Sequence, residues 1–363
     1  MTHAANLLQL DYRAEARKLG HPVAPIIDIH SHISGDVAVD VYAEAAELYG
    51  IARTYSMTPR PLAESVARKL GDRIRFIAVP NFGSPDRFHA FTEGYLDDIR
   101  YFREVHGSRM IKFWNAPRLH DFVPTEHARD VIGFDSPWRI RQAELAQELG
   151  MMIMVHVADP DTWFKTTYAD ASRYGTKVEQ YASLERALDR FDCPWIAAHM
   201  GGWPEDLAFL SGLLERHDNL YLDCSATKWQ VRELSKHSHD DFMRFATRWN
   251  GRILFGSDIV TTEQHIEKTD GGSHPMGALA STREQAFDLY ASRYWALRTM
   301  FETDYDGQSP IADPDLAKVE PERFTELDAP RLVGRSMPHD MLRTLYTASE
   351  LVLTRAHDTA SRT

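Results

Sequence analysis

Short apolar runs alternate with amphipathic segments about eight times along the 363 residues of the chain. The runs fall near 25–32, 51–56, 74–80, 109–114, 151–156, 194–199, 219–224 and 252–257, rich in Ile, Val, Phe and Met and without polar alternation. Strands that are apolar on both faces belong to a parallel sheet covered on both sides. Helical patterns lie between them, as at 87–105, 137–149, 178–191 and 242–249. Gly50, Gly71, Gly107 and Gly150 stand where a returning helix would stop. The order predicts an α/β fold, a (β/α)8 TIM barrel. Three longer irregular segments interrupt it, at 115–136 after strand four, 158–176 after strand five and 261–282 after strand eight. Loops that follow strand C-termini form the rim of a barrel's active site. An acidic, proline-bearing connector runs on past 302, and 337–355 patterns as a closing helix. We expect one domain over 1–363, with a barrel core at about 25–300 and an extension over 301–363.

Composition removes several functional classes. Hydrophobic residues at 43% and charged residues at 26% leave enough apolar material for a core. The formal charge of −12 argues against nucleic acid or an anionic membrane as partner, since either requires a basic surface. No run approaches the roughly 18 apolar residues of a membrane span, and the first residues lack the features of a signal peptide, so cytoplasmic residence is expected. Two cysteines, Cys193 and Cys224, suit a reducing compartment and read as core thiols. No glycine-rich phosphate loop occurs, and no nucleotide cofactor is expected.

The candidate chemistry sits at the ends of the apolar runs. His30 and His32 follow Ile26-Ile27-Asp28-Ile29, and two residues apart in a strand their imidazoles leave the same face. His156 ends strand five, His199 strand six, and Asp258 follows Leu254-Phe255-Gly256-Ser257. His237-Ser238-His239 repeats the spacing on a polar stretch and is assigned to the surface. Three neutral imidazoles and a carboxylate suit one divalent ion, Zn²⁺ first and Mn²⁺ as the alternative, with His30, His32, His156 and Asp258 as ligands. Such an ion acidifies its water toward a pKa of about 7. Asp258 would take that proton, and His199 would stabilise developing charge and shuttle a proton, or else hold a second ion. Lys112 on strand four reads as an amine paired with Asp or substrate, its carboxylated form being the route to two ions. Lys228 and Arg232 after strand seven, and Trp163 after His156, read as contacts to a carboxylated or aromatic substrate, against a surface ion pair for Arg232.

Asp28-Ile29-His30-Ser31-His32, His156, Ala198-His199-Met200-Gly201-Gly202 and Leu254-Phe255-Gly256-Ser257-Asp258 together resemble the amidohydrolase superfamily. The resemblance is greatest to its branch containing aminocarboxymuconate-semialdehyde decarboxylase and related hydrolases. It implies His30, His32, His156 and Asp258 as metal ligands, His199 as catalytic histidine, and a homodimer. The expected activity is hydrolysis of an amide, ester or lactone. Non-oxidative decarboxylation of a small carboxylic acid is the first alternative and a non-catalytic binding barrel the second.

Overall fold

The computed structural model describes residues 3–267 and 275–360. Eight strands alternate with helices in chain order: β1 (Ile26–His32), β2 (Ile51–Ser56), β3 (Ile74–Phe76), β4 (Met110–Trp114), β5 (Met152–His156), β6 (Trp195–Ala197), β7 (Leu220–Asp223) and β8 (Ile253–Leu254). Three short ones follow, β9 (Ile259–Val260), β10 (Asp306–Gln308) and β11 (Arg331–Val333). The α/β class and the (β/α)8 order expected from the pattern are present. Contacts group into two compact units, one of Met1–Ser56, Pro61–Ile74 and Cys224–Thr347, the other of Met57–Arg60, Arg75–Asp223 and Ala348–Thr363.

In the first unit β1 lies between β2 and β9, parallel to both. Ile26 and Ile29 are fully buried, as strands covered on both faces require. The helix Arg283–Glu302 packs on this unit and buries Tyr290 and Tyr294. β10 and β11 form an antiparallel pair within the extension.

In the second unit β4, β5, β6 and β7 run parallel in that order, with Trp114 opposite His156 and Val155 opposite Ala197. Met110, Ile111, Phe113 and Met152 to Val155 have no exposed surface. The insertion after β4 is folded: Leu119, Val123 and Val131 pack on Phe91.

Several expected boundaries shift. The runs at 194–199 and 252–257 yield strands of three and two residues: the first stops ahead of left-handed backbone at His199 (φ 59°), and the second ends at Leu254, before the left-handed turn at Asp258 (φ 59°). The expected 74–80 strand stops at Phe76, with Ala78 keeping one parallel bridge to Ile111. The expected helix at 87–105 breaks at Thr92, whose hydroxyl donates to Phe88 O at 2.7 Å and diverts the backbone. The helix anticipated from 242 starts at His239 because Ser238 caps it; this places the His237-Ser238-His239 pair at an exposed helix start. The closing helix begins at His339, just after Pro338, and runs to Ala360. The loop at 261–282 carries short 3₁₀ turns at Glu263–His265 and Pro275–Leu279, and its residues 268–274 lie outside the described residues. Both cysteines are buried and free, and burial pushes the Cys193 thiol up to about 12, so that thiol is not an activated nucleophile. Among the described residues no helix is long and apolar enough to cross a membrane.

Candidate metal centre

In the first unit, ligand atoms of His30, His32 and Asp258 all lie within 4.8 Å of one another. His30 Nε2 is 3.4 Å and His32 Nε2 3.2 Å from Asp258 Oδ1. The two rings leave the same side of β1, centroids 5.9 Å apart, as the strand period demands. Asp258 reaches them because the segment after β8 is sewn to the end of β1. Asp258 N–H donates to His30 O at 2.8 Å, Thr261 N–H to His32 O at 2.9 Å, and β9 pairs with Ser31 and His32. The turn that aims Asp258 needs φ 59°, which an aspartate tolerates better than most side chains. Gly256 lets the chain pass: a Cβ there would stand 3.0 Å from the His30 Cβ and 3.2 Å from that of Ser225.

Two further groups orient this trio. His30 Nδ1 and Ser225 Oγ share a hydrogen bond of 3.0 Å, which leaves Nε2 facing Asp258. Asp28, fully buried, accepts from His30 N–H (3.1 Å), Ser257 N–H (3.0 Å), Ser257 Oγ (2.6 Å) and Tyr294 Oη (2.8 Å). Burial pushes the Asp28 carboxyl up to about 7 against the opposing pull of these donors. Tyr294 Oη continues to Tyr42 Oη at 3.0 Å, and Tyr42 to Thr54. The sequence motif contained Asp28, yet an acid inside an apolar strand has no periodic signal that distinguishes clamp from ligand.

The second unit gathers His156 and His199, rings 4.7 Å apart at 74°. His156 Nε2 lies 2.7 Å from Asp159 Oδ1, and Tyr168 Oη donates to the other Asp159 oxygen. This fixes the ring in the way carboxylates orient ligating or acid–base histidines. His199 is buried, its N–H donating to Asp223 Oδ1 at 2.9 Å. It opens four consecutive left-handed residues, His199, Met200, Gly201 and Gly202. A Cβ at Gly202 would fall 2.0 Å from Ala158 O. Strain of this kind, about 1–2 kcal/mol for each non-glycine residue, concentrates at working sites.

The remaining expected contacts divide. Lys112 is buried on β4 opposite Met154, its N–H donating to Ala78 O at 2.9 Å. Trp163 is half-buried on the short helix Asp161–Phe164, 5.7 Å from the Tyr168 ring. Lys228 is half-buried in the first turn of the helix Thr227–Leu234, and among the described residues no carboxylate pairs with it. Arg232, expected as a substrate contact, has its guanidinium engaged inside the protein. It is 2% exposed, and its guanidinium is held by Glu233 Oε1 at 2.5 Å, by Asp313 and by Asp315 Oδ2 at 3.4 Å. The ion pair is therefore interior, fastening the helix to the extension.

Two nitrogens of imidazole and one carboxylate oxygen, converging on one point, fit a divalent cation that accepts nitrogen ligands better than Ca²⁺ or Mg²⁺, which prefer all-oxygen sets.

A family model described as amidohydrolase matches residues 27–325. No curated protein matches the chain. Among solved structures, 5-carboxyvanillate decarboxylase from Novosphingobium aromaticivorans is 12% identical, covers 93% of this chain and 97% of its own, and superposes with a TM-score of 0.47. A probable 2-pyrone-4,6-dicarboxylic acid hydrolase from Acinetobacter baumannii is 10% identical, with coverage of 82% and 99% and a TM-score of 0.44. The 2,6-dihydroxybenzoate decarboxylase from Rhizobium is 11% identical, with coverage of 82% and 96% and a TM-score of 0.42.

Proposed function

The chain belongs to the amidohydrolase family, and from that premise we propose that it is a metal-dependent hydrolase acting on an amide, ester or lactone of a small, carboxylated substrate. The observation that carries this reading is the convergence of His30, His32 and Asp258, held in place by Ser225 and Asp28. When bound, a divalent ion supplies Lewis acidity toward a carbonyl and toward water. His30 and His32 hold such an ion, and His156 is the proposed further ligand. Asp258, half-exposed beside two imidazoles, accepts a proton and returns it to the leaving group. His199 is the proposed acid–base residue that steadies the developing oxyanion. Lys228 recognises the substrate carboxylate as a point charge, with Lys112 and Trp163 as further proposed contacts.

Lys228 also favours a second reading. Among the described residues no carboxylate makes an ion pair with Lys228, although Asp313 and Asp315 act on it from farther off, and a half-buried cation of this kind suits a substrate that must carry carboxylate, as a decarboxylase requires. The experiment separates the two. Protein purified without chelator is analysed for metal per chain and assayed with lactones, esters and aromatic acids in ¹⁸O water. Label in the organic product marks hydrolysis, and an unlabelled organic product one carboxylate shorter, with carbon dioxide released, marks decarboxylation. Asp258→Asn is expected to lower kcat/KM by about 10²–10⁴-fold in either case. Metal-free protein that neither takes up added Zn²⁺ or Mn²⁺ nor turns over any substrate removes the proposal.

A further inference from the structure

The helix Pro137–Glu148 begins with an electrostatic conflict. Arg139, in its first turn, is 1% exposed, and among the described residues no carboxylate pairs with it. Its hydrogen bond goes to the neutral Gln142 carboxamide, Nη1 to Oε1 at 2.9 Å. The guanidinium lies 4.8 Å from the Phe113 ring centroid, and its Nε–H has no partner. Gln142 cannot turn to help further, since its Nε2 donates to Phe91 O at 2.7 Å. A helix N-terminus carries the positive half of the macrodipole, so burial and dipole both oppose this cation. Burial pushes the Arg139 guanidinium down to about 10, with Tyr95 working weakly the other way.

The groups around it are short of acceptors. Ser136 at the N-cap is 5% exposed; its hydroxyl does not cap the helix and has no partner. Pro137 occupies the first helical position, and the N–H groups of Trp138 and Arg139 have no acceptor within the helix. Asn115 follows β4, two residues beyond Phe113, with its N–H donating to His156 O at 3.0 Å. It is 7% exposed, and both atoms of its amide are without partners. Among the described residues, the start of this helix thus leaves one Arg Nε–H, one hydroxyl and two backbone N–H groups without acceptors, and the unpartnered Asn115 amide stands two residues beyond the ring that faces the guanidinium. Donors with a surplus positive charge call for an anion, because water satisfies hydrogen bonds but brings no charge.

We propose that the first turn of the helix Pro137–Glu148, with Arg139, Ser136 and Asn115, is a binding site for a small monovalent anion of the chloride class. The site has no part in the reaction proposed above and stands or falls separately from it. Its ligand neutralises Arg139 and completes the helix cap, tying the insertion after β4 to the helix that follows. Small size follows from burial: Arg139, Phe113 and Gln142 leave almost nothing exposed.

Crystals of the full chain soaked in bromide test this directly. An anomalous peak within hydrogen-bond distance of Arg139 Nε is expected. In solution, the wild-type Tm is expected to rise by about 2 °C, with saturation, when chloride replaces gluconate at constant ionic strength. Arg139→Met is expected to abolish that rise and Ser136→Ala to reduce it. Absence of bromide at Arg139, or an equal chloride response in wild type and Arg139→Met, overturns the proposal. Should Arg139→Met fail to fold, the bromide soak and Ser136→Ala decide.

Discussion

Asp28 shows how one side chain prepares a site it does not enter. Its two carboxylate oxygens take four donors from three places: β1 itself, the Ser257 turn and the helix Arg283–Glu302. The two bonds from Ser257 tie the strand that bears His30 and His32 to the turn that bears Asp258. The three ligand atoms are therefore arranged before any ion arrives, which is the condition for tight binding. Asp28→Asn keeps the shape but presents an amide N–H₂ to groups that are already donating. We expect Zn²⁺ affinity, read by competition with a chromogenic chelator, to fall by about 10–100-fold, and Ser225→Ala to act in the same direction through His30. If Asp28→Asn lowers Tm while the metal dissociation constant stays at the wild-type value, Asp28 holds the fold alone.

At the scale of elements, the turn after β6 is where backbone conformation and chemistry coincide. His199 to Gly202 share left-handed φ values, and at Gly202 (φ 75°) an added Cβ would collide with Ala158 O. That carbonyl is main chain and cannot swing away. Gly202→Ala is expected to cost about 3 kcal/mol or more, lowering Tm by about 4 °C at this chain length. A variant melting within a degree of wild type would show that the turn relaxes. This turn also marks where the sequence stopped being informative. Apolar runs announced the strands, since Met152 to Val155 are buried on both faces and nothing else explains such a run. The convergence of His30, His32 and Asp258 as candidate ligands was legible because side chains two apart on a strand share a face and because Asp258 follows a strand end. Strand ends at His199 and Asp258 were overestimated, because periodicity carries no sign of φ. The interior pairing of Arg232 with Asp313 and Asp315 was illegible for another reason: it joins a helix to a distant extension, and no local pattern records such a contact. The partners of Asp28 and His156, namely Ser257, Tyr294 and Asp159, were hidden in the same way, although Asp159 stands only three residues from its histidine.

At the scale of the molecule, the candidate ligands join an early strand to a segment more than two hundred residues later, His32 in β1 to Asp258 beyond β8. An ion held there acts as a cross-link that exists only in the folded state. It adds RT ln(1 + [L]/Kd) to stability, about 4 kcal/mol when free metal exceeds Kd a thousandfold. For a chain of 363 residues the entropy of unfolding converts this to a rise in Tm of about 5 °C. The chain contains 17 histidines, so the unfolded state also competes for metal and the figure is an upper bound. Removing metal with a chelator should therefore lower Tm by a few degrees, and stoichiometric Zn²⁺ should restore it. The same titration on His32→Ala should show little change in either direction, because one of the three converging ligands is gone while the bonds that sew Asp258 and Thr261 to β1 are made by backbone and survive. An equal chelator response in wild type and His32→Ala would place the stabilising ion somewhere other than the end of β1.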